Sequence, residues 1–292
     1  LSRRQRQMCI RDRKYGVEMD MTGITRKAVA EILAEQFDTK VVFCLSDNGY
    51  NVPDQNQRLW RILPSDSIKA EKYNGEKVVG ANYMYQVKLL SPFLYENEFP
   101  MLEKALEQLE LRGAIVNDST KINLLLDVSC IENWEKYQIN LENLYESKGE
   151  LFQKALEIPF SQVADTDQDN GIISFPYFKS TINKKELLSD IQFAQIVSSF
   201  AENNRTVSQK KSENQNDKFM MRTWLVRAGM VGEEYKFARK MLTKNLEGNS
   251  AWQKMMEPTE IESKEVCNQA QSEEMMDNHV EEQVVSDLEL EV

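Results

Sequence analysis

The sequence predicts an α+β fold. Strand-period and helix-period segments alternate irregularly along the chain, and the last third of the body reads as helix alone. Neither GxGxxG nor GxxxxGK[ST] occurs, so the phosphate loops typical of doubly wound sheets and P-loop proteins have no support.

The elements follow in order. "YGVEMDMT" alternates, with Val17, Met19 and Met21 on one side and Glu18 and Asp20 on the other, as in a strand with one apolar face. In "TGITRKAVAEILAEQF", Thr25 suits a helix N-cap, and Ala28, Ile32, Leu33 and Phe37 recur at helical spacing. "KVVFCL" and "RLWRIL" read as strands, and "NYMYQVKLLSPFL" reads as a longer strand ended by Pro92. "EFPMLEKALEQLELRGA" is a helix, with Pro100 in its first turn and Gly113 at its C-terminal cap. "KINLLLDVS" is a buried strand and "WEKYQINLENLYESKGELFQKAL" a helix. Pro176 places "GIISFPYFKST" at a sheet edge or a bulge. "KKELLSDIQFAQIVSSFA" and "FMMRTWLVRAGMVGEEYKFARKMLTKNL" close the body as helices.

Composition narrows the chemistry. The single histidine, His279, lies in an acidic tail, so Ser-His-Asp, Cys-His and common zinc chemistry are excluded from the body. Four scattered cysteines without a CxxC pair fit a reducing compartment, hence a cytoplasmic protein, and Cys44 and Cys130 read as small buried apolar residues. No apolar run approaches the roughly 20 residues that span a bilayer, so no membrane partner is expected. Residues 257–292 carry twelve acids and one lysine, which equals the whole net charge of −11. The body is therefore balanced, shows no basic stripe and is not expected to bind nucleic acid. Arg222, Arg227, Lys236, Arg239 and Lys240 read either as a site for phosphate or acidic partners or, as such runs more often are, as a solvated helix face paired with Glu233 and Glu234.

Both ends are set aside. "RQMCIRDR" resembles translated sequencing-adapter read-through, so residues 1–13 are taken as artefact or disordered arm. Residues 254–292 are acidic, lack aromatics and are expected to be disordered. Residues 14–253 form the body.

Within the body, Glu18 and Asp20 are the sharpest feature. Two carboxylates at i and i+2 of a strand share a face and can share a Mg²⁺ ion with substrate phosphates. Exposed alternating acids on a half-buried sheet give the same pattern, and spacing does not separate the two.

Five blocks in order resemble the amidoligase family of Firmicutes mobile elements. They are "YGVEMDMTGITRKAVAEILAEQF", "YQVKLLSPFL", "LEQLELRGAIVNDSTKINLLLD", "GIISFPYFKSTINKKELLSDIQFAQIVSSFA" and "FMMRTWLVRAGMVGEEYKFARKMLTKNLEGNSAWQ". The resemblance implies a mostly antiparallel, glutamine-synthetase-like sheet packed with helices. It implies ATP-dependent amide formation between a carboxylate and an amine, with magnesium and ATP as cofactors. Glu18 and Asp20 are then metal ligands, Asp127 and Asp66 catalytic acids, and Lys88, Asn123 and Ser180 line the cofactor.

The polar positions depart from the family pattern while the apolar ones hold. Lys88 stands where the family has Glu, and Asn123 and Leu125 where it has two His. Thr120-Lys121 replaces Cys-Gly, Ser174 and Pro176 replace Glu and Arg, and Ser65 takes the place of an Asp that is displaced to Asp66. The expectation is a diverged ligase with weakened or lost activity, a pseudoenzyme that needs no cofactor at the limit. The alternative is a binding or regulatory subunit that uses the old cleft, with an intact amidoligase as its partner. Lys88 reads either as an ion-pair partner of Glu18 or Asp20 or as a lysine reaching to solvent.

Overall fold

The computed structural model describes residues 13–158, 164–211 and 216–249. The expected disordered tail, 254–292, and residues 1–12 lie outside the described residues. Arg13, set aside with the N-terminal arm, belongs to the body: it is buried and its guanidinium donates to Ser198 and Glu202.

The alternating segment forms the strand β1 (Tyr15–Met21), at the centre of an eight-stranded sheet. The others are β2 (Val42–Cys44), β3 (Gly49–Pro53), β4 (Leu59–Pro64), β7 (Val87–Leu90), β8 (Lys121–Asp127), β9 (Asp165–Asp167) and β10 (Ile172–Lys179). Their order is β2-β3-β4-β7-β1-β8-β10-β9, and every pairing is antiparallel. A separate hairpin, β5 (Glu71–Asn74) with β6 (Lys77–Gly80), sits beside the C-terminal end of β1, where Gly23 N donates to Glu71 O at 2.9 Å. The α+β class and the antiparallel sheet are as expected.

The helices are α1 (Arg26–Phe37), α2 (Phe99–Leu111), α3 (Trp134–Leu156), α4 (Lys184–Asn203), α5 (Asp217–Ala228) and α6 (Lys236–Thr243). Thr25 caps α1 through its hydroxyl, which accepts from Ala28 N at 3.3 Å. Pro100 lies in the first turn of α2, and Gly113, at φ +93, follows its end. The apolar side of the sheet, with Val17, Met19, Met21, Leu124, Phe175 and Trp60, packs in one core with α1, α2, α3 and α4. Among the helices, Phe152 meets Phe193 and Trp224 at ring-centroid distances of 5.2 and 4.8 Å. Tyr137 is buried against Ser198, and burial pushes its phenol up to about 12.

Several expectations are corrected. The long strand expected over "NYMYQVKLLSPFL" is a 3₁₀ turn, Tyr83–Tyr85, followed by the short β7. Asn82 accepts from Met84 N, and the buried Arg26 donates to the carbonyls of Tyr83 and Gln86, so this backbone is bent away from the ladder. Pro176 sits in a register shift between Phe175 and Phe178, which is the bulge its missing N–H allows. Cys130 is exposed and Cys44 half-buried, so neither is a core residue. Arg222 and Arg239 are buried, and Arg239 donates to Met230 O and Gly232 O at 3.1 Å. The final helical run breaks at Gly229 and Gly232, whose positive φ angles end α5 and turn the chain into α6.

Candidate functional site

The side of the sheet away from the helical core carries the polar residues. Strand alternation assigns them: Glu18 and Asp20 from β1, Lys88 from β7, and Asn123 and Asp127 from β8 point opposite to the buried Met19, Leu89, Ile122 and Leu124.

Register fixes their neighbours. Glu18 pairs with Asn123, and Asn123 Nδ2 donates to Glu18 Oε2 at 3.1 Å. Asp20 pairs with Lys88, which in turn pairs with Leu63 of β4. Asp20 is 5% exposed, and Ser65 Oγ donates to its Oδ1 at 2.7 Å. Ser180, just past β10, donates to the backbone carbonyl of Asp20 at 3.3 Å. Thus Glu18, Asp20, Lys88, Asn123 and Ser180 come together.

Asp66 and Asp127 stand apart. Asp66 is exposed in the turn after β4, while its neighbour Ser65 reaches inward. Asp127 shares the open face but lies four residues from Asn123, about 13 Å along β8. Its Oδ1 accepts from Ser129 N at 3.1 Å and Ser129 Oγ at 2.6 Å, which caps the turn that follows, and Lys14 Nζ is 3.9 Å away. Lys88 stands directly across from Asp20, yet among the described residues no ion pair of 4.0 Å or less joins it to either acid.

Sequence reasoning missed Ser65 as a partner of Asp20. The signal was present, since Ser65 stands directly before Asp66, the acid singled out from the sequence. Replacing Ser65 with Ala strips the buried carboxylate of that hydrogen bond. Ser65→Ala is expected to lose about 1–2 kcal/mol of stability in urea unfolding, and Ser65→Thr to recover part of it.

The sequence model of the family described as "putative amidoligase enzyme" matches residues 11–165. The chain belongs to the amidoligase family. No curated protein and no solved structure matches it. The matched region of this amidoligase-family chain contains Glu18, Asp20, Asp66, Lys88, Asn123 and Asp127, and Ser180 lies beyond it.

The magnesium ion that the resemblance implies can be tested against these groups. Among the described residues, no three His, Cys, Asp or Glu side chains are grouped to hold a metal. Glu18 accepts from an amide, Asp20 accepts from a hydroxyl, and a lysine stands across from Asp20. Asn123 Oδ1 is shielded and has no hydrogen-bond partner, which leaves one neutral oxygen beside the two acids. A lysine on the same face of the sheet, paired in register with Asp20, opposes a divalent cation there. The groups therefore do not form a dedicated magnesium site.

No described helix of this amidoligase-family chain is long and apolar enough to cross a membrane.

Proposed function

We propose that this chain is a diverged amidoligase-family protein in which ATP-dependent joining of a carboxylate to an amine is lost or nearly so. In this reading the open sheet face is retained as a ligand-binding surface. The supporting observation is the pairing of Asp20 with Lys88, where the resemblance has a glutamate. Acyl-phosphate formation needs a cation that bridges phosphate oxygens and neutralises charge as it develops. Converting an acid into a lysine at that level of the sheet opposes the ion while the surrounding apolar packing stays intact. The ancestral substrates would be a small-molecule or peptide carboxylate and an amine.

The expected result is no ATP turnover above background with panels of carboxylate and amine donors in the presence of Mg²⁺. Mg²⁺-dependent ATP hydrolysis that disappears in Glu18→Ala would reverse the proposal in favour of a working ligase.

A further inference from the structure

We infer that one end of the open face, built by Lys88, Asp20, Lys121 and Ser180, binds a carboxylate or phosphoryl oxyanion directly, without a divalent cation. This rests on the reading above that the face is a binding surface, and it names what the face takes.

Residues at one level of the sheet carry the argument. Asp20 pairs with Lys88 across β1 and β7. The β1–β8 ladder pairs Met19 with Ile122, so continuing it by one residue sets Lys121 beside Asp20. The β8–β10 ladder then pairs Lys121 with Lys179. Across four adjacent strands the level reads Lys88, Asp20, Lys121, Lys179, and because Glu157 pairs with Lys179 the charges left at this level are Lys88 and Lys121 beside Asp20.

The existing contacts do not use up this positive charge. Lys179 is held by Glu157 at 2.5 Å. Neither Lys88 nor Lys121 has a carboxylate within 4.0 Å among the described residues. The carboxylate of Asp20 is directed instead to Ser65 Oγ, at 2.7 Å.

The geometry suits a single oxyanion. Lys88 and Lys121 lie two strands apart, about 10 Å between Cα atoms, a gap that two lysine stems reach across from either side. Ser180 adds a hydroxyl at the same end, and its bond to the Asp20 carbonyl, 3.3 Å, is long enough to give way to a better acceptor. Two ammonium groups on one face supply neutralisation that a magnesium ion would otherwise provide, and keep it when the ion is removed.

The test is isothermal titration of the full chain at low ionic strength with four probes: ATP in EDTA, ATP with Mg²⁺, inorganic phosphate, and succinate. At least one of phosphate, ATP in EDTA and succinate is expected to bind. Affinity should fall at least tenfold in Lys88→Glu and should weaken as salt screens the ammonium groups. Binding of phosphate and ATP without succinate assigns a phosphoryl ligand, and binding of succinate alone assigns a carboxylate. Lys121→Gly, at an exposed position, is the second variant and should weaken the same probe with an unchanged circular dichroism spectrum. No binding of any probe in EDTA overturns the inference, and so does unchanged affinity in both variants. Mg²⁺-dependent turnover would instead overturn the proposed loss of ligase activity, because that assay reads chemistry and this one reads binding.

Discussion

Arg58→Ala is expected to lower the free energy of unfolding by about 3 kcal/mol, read as a drop in the urea midpoint near pH 7. Arg58 ties the start of β4 to the turn before α2. Its Nε donates to Asp54 Oδ2 at 2.9 Å, and its two terminal nitrogens take Glu98 at 2.9 and 2.8 Å. The Asp54 side chain is 0% exposed, so removing the guanidinium leaves a buried carboxylate without its counter-charge. Asp54 keeps backbone bonds from Asn56 N and Arg58 N, which places the cost toward the lower end for a broken buried pair.

The same network sets a pH dependence. Hydrogen bonding from Arg58, helped by the backbone N–H of Tyr95, holds the Glu98 carboxyl below its ordinary range against the opposing effect of burial. An acid whose folded value is depressed binds fewer protons folded than unfolded, so its stabilisation is present above the unfolded value of about 4.3. That stabilisation is lost as pH falls through the folded value. The gap between wild type and Arg58→Ala should therefore narrow below about pH 4. A gap of equal size at pH 7 and pH 3 would show that the effect comes from packing alone.

Gly23→Ala is the second large effect, with an expected loss of about 3 kcal/mol or failure to fold. Gly23 adopts φ +82, and a Cβ there would lie 2.1 Å from Gly113 O and 2.9 Å from Ile115 Cγ1. The clash falls on backbone, so it cannot be relieved by a side-chain rotation. It also falls on a clamp, since Thr22 and Ile115 exchange two backbone bonds of 2.9 Å while Gly23 N donates to Glu71 O. This clamp closes the end of β1, beginning two residues after Asp20. Gly75→Ala is the control: its φ is +63 and nothing lies within 4 Å of an added Cβ. It should cost only about 1–2 kcal/mol for the left-handed backbone. Equal midpoints for the two variants would show that the clamp at Gly23 carries no special load.

Much of this architecture is readable from local patterns. Alternation in β1, the Thr25 cap, Pro100 and Gly113 each encode a local preference that the fold keeps. The β5–β6 hairpin was missed: Gly75, at φ +63, and Glu76 form its two-residue loop, but the strands on either side are only four residues long. The 3₁₀ turn at Tyr83–Tyr85 was not readable, because it is held by Arg26 from 57 residues away. Arg239 shows the same limit: a charged helix residue is buried where its guanidinium donates to the carbonyls of Met230 and Gly232 in the turn between α5 and α6.

The sequence by itself determined which side of β1 is apolar and where the acids stand on it. Tertiary structure alone decided that Asp20 faces Lys88 and is hydrogen-bonded by Ser65, that Glu18 meets the Asn123 amide, and that Asp127 lies a dozen ångströms away as a turn cap. The physical reason is that side-chain alternation is a property of one strand, whereas the charge a carboxylate meets depends on the register between strands far apart in the chain.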